Sequence, residues 1–181
     1  MTVSTATTSG QILTSAYLNN NINSGLTYIT SGTITTTTNI PSIFSATYDN
    51  YRIVFSNISV AAGATATTLQ LSVGGVAATT NYNYGGTYTL FAAAGTGMLG
   101  GAGSFMYIAQ TSTTPVAGCV MEIQRPFIAG VTTFQGQSAN YDSGAVCSGN
   151  HTTATSYDGI KISSQTSNPA LSYAVYGYRK P

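Results

Sequence analysis

The stretch Tyr48-Asp49-Asn50-Tyr51-Arg52-Ile53-Val54-Phe55-Ser56-Asn57-Ile58-Ser59-Val60 decides the fold. It sets the turn-forming pair Asp49-Asn50 directly ahead of a run rich in β-branched and aromatic residues, the signature of a buried strand. Tyr51, Ile53 and Phe55 fall on one face, and Arg52, Val54, Ser56 and Ile58 on the other. Both faces are largely apolar, so this strand is expected at the centre of a sheet.

Working outward, the chain continues to read as strands. On the N-terminal side, residues 26–36 form a Thr-rich edge strand that ends in a loop containing Pro41. On the C-terminal side, residues 68–73 alternate Leu69, Leu71 and Val73 inward with Gln70 and Ser72 outward, and run into a Gly74-Gly75 hairpin turn. Strands are expected near 76–84 and 87–92, with a hairpin turning between them. Residues 95–103 carry so many glycines that tight turning, or close contact with a neighbouring chain, is their expected use. Further strands are read at 104–110, 117–124, 127–135, 157–163 and 171–178. Residues 137–155 have a weak apolar pattern and read as a long surface loop holding Asp142, Cys147 and His151. Nine or ten short strands with regular turn signals indicate an all-β protein, with a jelly-roll-like antiparallel β-sandwich as the first expectation. No repeat of fixed period supports a solenoid.

The N-terminal region differs in texture. Residues 1–10 are a small polar lead, after which Leu13, Tyr17, Leu18 and Ile22 recur at helical spacing between a capping Thr14 or Ser15 and Gly25. This is the only helix expected. It is short and rich in Asn, so it needs a surface to pack on, either the domain's own sheet or the same helix of sister chains. The chain thus divides into an N-terminal segment, 1–26, whose Leu13, Tyr17, Leu18 and Ile22 could bundle with sister chains, and a sandwich domain, 27–181.

Only 5% of residues are charged and the formal net charge is +1. No Lys/Arg cluster offers a footprint for nucleic acid or anionic lipid. Little self-repulsion keeps copies apart, so a homo-oligomer is expected. No apolar run approaches a membrane span and no leader pattern is read, which places synthesis and folding in a cytoplasm. Cys119 and Cys147 could bridge, but buried free thiols are the expected state.

Chemistry is sparse. Four acidic residues and one His supply no metal-binding spacing and no cofactor motif. Asp49 and Asp158 sit in turn contexts. Glu122 is expected to pair with Arg125 or Lys161 across strands, and Arg52 with Asp49 or Glu122. Asp142 and His151 share the predicted loop and could pair, but no nucleophile elbow accompanies them. Neither a catalytic residue nor an enzymatic activity is expected. The remaining candidate is Asn81, Tyr82, Asn83, Tyr84 and Tyr88, a Tyr/Asn-rich composition that suits a recognition surface able to stack on sugars. The competing reading places the three tyrosines, which share one strand face, in the core or in an inter-chain contact.

The opening 9–19, with Gly25-Leu26-Thr27-Tyr28-Ile29, then Tyr48, Tyr51, Arg52, Ile53, Ser56, Asn57 and Ile58, then Asn81-Tyr82 and Tyr176-Gly177, resembles small virion proteins of cyanophages and related aquatic tailed phages. The resemblance spans nearly the whole chain on short motifs. The Ala/Gly-rich run 91–103 departs from it. It implies a fibre, tail or capsid-surface protein located in the virion, with a trimeric β-sandwich on an N-terminal attachment segment, other virion proteins as partners and a host surface glycan as a candidate ligand. Capsid decoration is the alternative role, and a glycan depolymerase ranks last.

Overall fold

Thirteen strands and no helix form among the residues that the computed structural model describes, 25–91, 95–115, 117–140, 142–178 and 180. They are β1 (Leu26–Ile34), β2 (Thr38–Ile40), β3 (Asn50–Val60), β4 (Thr65–Val73), β5 (Val76–Ala77), β6 (Tyr82–Leu90), β7 (Thr96–Gly103), β8 (Met106–Thr111), β9 (Ala117–Gln124), β10 (Gly130–Ala139), β11 (Ser143–Thr155), β12 (Gly159–Ser164) and β13 (Pro169–Tyr178). The helix predicted over Leu13, Tyr17, Leu18 and Ile22 lies outside the described residues.

Eight strands form a large sheet in the order β1-β13-β3-β9-β10-β11-β6-β7. A smaller sheet runs β2-β12-β4-β5, with β8 also paired to β4. Every pairing is antiparallel. Tyr51, Ile53, Phe55, Met121 and Ile123 of the large sheet share one core with Leu69, Leu71, Ile108, Ile160 and Ile162 of the small one. The two sheets therefore bury their facing sides against each other, as two half-apolar layers must.

The quoted stretch becomes β3, third in the large sheet between β13 and β9, and β1 is an edge. Its centrality has a different cause from the one expected. Ile58 does not lie on the Arg52 face. The pairing with β9 shifts register between Phe55 and Ile58, and Asn57 takes φ 53°. This bulge, in a conformation that Asn tolerates well, swings Ile58 and Val60 onto the core side with Tyr51, Ile53 and Phe55.

Leu69 and Leu71 point inward as expected, but Val73 is exposed where the strand enters the Gly74-Gly75 turn, both glycines having positive φ. Three other expectations are overturned. No hairpin turns at Gly85-Gly86, because β6 runs straight through them. The glycines of 95–103 form β7, the far edge of the large sheet. The predicted loop 137–155 is largely strand, the end of β10 followed by the whole of β11.

One packing device bears on the last two. On the core side of the large sheet, aromatic rings lie across glycines directly opposite them on the next strand. Tyr173 faces Gly32, Tyr84 faces Gly101, Tyr88 faces Gly97 and Phe134 faces Gly149. A Cβ at Gly32 would come 2.8 Å from the Tyr173 hydroxyl oxygen, and one at Gly97 would overlap the Tyr88 ring. The missing side chain makes room for the neighbour's ring, which covers backbone that glycine would leave bare.

Candidate binding surface

The pleat of β6 divides the predicted recognition stretch between the two faces of the sheet. Tyr82, Tyr84 and Tyr88 point to the core side, while Asn83 points outward and Asn81 precedes the strand. Tyr82 is fully buried, and its hydroxyl accepts the Leu71 N–H at 2.8 Å, which bonds one sheet to the other. Tyr84 and Tyr88 are half-buried against Gly101 and Gly97. Asn81, at φ 65°, donates its side-chain amide to Thr153 Oγ1, and Asn83 donates to Asn150 Oδ1. The five residues therefore form no common surface. The period of two that built the sequence motif also takes it apart.

His151 is buried beside Tyr82, whose ring centroid is 4.3 Å away, and its Nδ1 lies 3.2 Å from the Tyr157 hydroxyl. Its Nε2 has no hydrogen-bond partner, and neither have the buried hydroxyls of Thr132, its cross-strand neighbour, and of Ser72 on β4. Burial holds the imidazole below its ordinary pKa, outweighing a backbone hydrogen bond at Thr80 that acts the other way. The unfolded chain therefore binds the proton more readily. The stability that this neutral His contributes is present above about pH 6.5 and is lost as pH falls from there through the folded pKa. Thermal unfolding should show that loss between pH 8 and pH 5, and His151→Gln should flatten it. Asp142 cannot reach this group. It stands just before β11, nine residues from His151 along an extended strand, or about 30 Å.

The other acids have structural partners. Arg52 Nε donates to Glu122 Oε1 at 2.6 Å, and Tyr178 donates to the other oxygen at 2.8 Å, so the cross-strand partner of Glu122 is Arg52 and neither Arg125 nor Lys161. Asp49 pairs with Lys180 at 2.9 Å. Both Asp158 oxygens accept the Gly74 N–H, steadying that turn. No three metal-ligating side chains gather among the described residues.

Cys119 and Cys147 are free and buried. They lie on β9 and β11 with β10 between them, so two strand spacings of about 4.8 Å keep their Cα atoms beyond the ~7 Å limit for a disulfide. Burial pushes the Cys119 thiol up to about 12 and the Cys147 thiol up to about 11. Thiolate is the reactive form. An aromatic disulfide reagent at pH 8 should therefore label neither cysteine in the native protein and both in denaturant; fast native labelling would contradict the burial.

The outward side of the large sheet is different in kind. Strand register aligns Ala174, Val54, Val120, Gln137, Val146, Thr87 and Met98 in one row across seven strands. Val120 is 40% exposed, Val146 54% and Met98 88%. Beside it run Gly118, Ala139, Gly144 and Thr89, with Phe91 against Gly144. On the other flank the row Tyr176, Arg52, Glu122, Gln135, Ser148 holds one ion pair that neutralises itself. The result is a broad, shallow, uncharged groove with a low apolar ridge. No protein-family model, curated protein or solved structure matches the chain.

Proposed function

We propose that the chain is a structural protein of a tailed-phage virion, a fibre-like or tail-associated homotrimer whose jelly-roll-like domain serves attachment to the host surface. It acts without catalysis, cofactor or metal, is made in the host cytoplasm, and is held on the particle through residues 1–26 by other virion proteins. The observation that carries this reading is the outward side of the eight-stranded sheet, whose one ion pair among the aligned rows, Arg52–Glu122, neutralises itself. A broad face without a catalytic group is suited to contact and not to chemistry. The scattered acids, three of them tied in structural contacts, speak against a glycan depolymerase. The likeness of 48–58 to virion proteins supplies the setting. A flat face of this kind also fits the second reading, a decoration protein lying across neighbouring capsid subunits.

Immunogold labelling of intact particles with an antibody to this chain tests the proposal. Label at the tail supports the attachment reading and label over the head the decoration reading. Particles without label would remove the virion setting altogether.

A further inference from the structure

We infer that copies of this chain meet through the outward side of the eight-stranded sheet, with Val54, Val120 and Val146 at the centre of the contact. This deepens the assembly part of the proposed function and does not depend on the virion setting.

Three observations lead there. The first is composition by row. Single exposed valines are ordinary, but here register lines up Val54, Val120 and Val146 with only Gln137 interposed, and extends the row to Ala174 and Met98. Beside it Gly118, which has no side chain, and Ala139, which has a methyl group, allow an opposing surface to approach closely, and the Phe91 ring covers Gly144.

The second is charge. Among the aligned outward rows only Arg52 and Glu122 are ionised, and they satisfy one another. Where copies meet about a symmetry axis, the residues close to the axis come near their own kind, so an unpaired charge at the centre of the contact would meet a like charge. The face carries none, whereas a nucleic acid, an anionic membrane or a charged protein would need one.

The third is size. Seven steps of about 4.8 Å span about 34 Å, and a ten-residue strand such as β10 runs about 33 Å, so the side offers about 1,100 Å². A stable interface needs about 800 Å² from each partner. The end pocket beside Tyr88 and Tyr107, of about 350 Å³, is far smaller and suits no second chain.

The test is the solution mass of the full chain by light scattering and sedimentation, for the natural sequence and three variants. Val120→Lys combined with Val146→Lys puts cations in the middle of the contact. Gln137→Lys does the same between them, at a position already polar and exposed, so its folding is not at risk. Val76→Lys, on the small sheet, is the control. The natural chain and the control should run at a multiple of the one-chain mass, and the two outward-side variants should weaken self-association by on the order of 100-fold.

A natural chain at one-chain mass overturns both this inference and the homotrimer. An oligomer unmoved by Gln137→Lys overturns the inference alone and places the contact elsewhere.

Discussion

Gly86→Ala should cost about 4 kcal/mol or more, among the largest effects open to a single methyl group. Gly86 faces the core side of β6 opposite Cys147, where a Cβ would overlap the Val146 carbonyl oxygen and come within 2.8 Å of the Cys147 Cα. Both obstacles are backbone, held in the β6–β11 ladder. Ordinary overpacking costs about 1–3 kcal/mol because side chains yield, and here the strands themselves must part. Gly149→Ala should behave alike, its Cβ meeting the Asn83 carbonyl and the Phe134 ring. The adjacent residue supplies the contrast. Gly85 points outward with nothing within 4 Å, so Gly85→Ala should be neutral or stabilise by up to about 1 kcal/mol through the unfolded chain. Urea unfolding of the pair separates the two positions, and equal midpoints would refute this account.

Tyr82→Ala should destabilise by about 3–5 kcal/mol, as loss of a large buried aromatic does. The side chain is fully buried and packs edge-on against His151. Its hydroxyl has a separate task. The Leu71 carbonyl takes the Ala78 N–H where β5 ends, and the Leu71 N–H on that same side of the strand is taken by Tyr82. Tyr82→Phe keeps the ring and strands that donor, so it should cost about 1–3 kcal/mol. Guanidinium midpoints for the two variants measure ring and hydroxyl apart. A Tyr82→Ala protein as stable as the parent would return Tyr82 to the surface.

Local pattern carried the all-β class, the central strand, the edge strand β1 and the inward Leu69 and Leu71. It failed on β7 and β11 for a physical reason. A strand is recognised by the apolar side chains that it sends inward, and these two interrupt theirs, Leu99 on β7 and Cys147 on β11, with glycines whose space is filled from next door, Gly97 and Gly101 by Tyr88 and Tyr84, Gly149 by Phe134. Part of the hydrophobic contribution is made by the neighbouring strand. A Tyr/Phe-rich strand beside a Gly-rich one is the signal that could have revealed it. The outward row was hidden similarly. Val54, Val120, Val146 and Met98 are each the one large apolar residue on the outward face of its own strand, and they become a surface only when register is known. For Asn81 to Tyr88 the sequence allowed two readings, and the pleat sends Tyr82, Tyr84 and Tyr88 to the core side, as the competing one had them, with Asn83 on the other.

The position of β13 between β1 and β3 has a consequence for synthesis. Pro169–Tyr178 is the last of the thirteen strands to leave the ribosome, yet it joins two of the first. Until it arrives, β1 lacks its neighbour among the described strands of the large sheet and β3 presents an open row of backbone donors and acceptors. The twelve strands before it must therefore wait for it, nearly uncharged and with sticky edges. The nascent state, and not the finished sandwich, is where this protein most needs protection from its own copies.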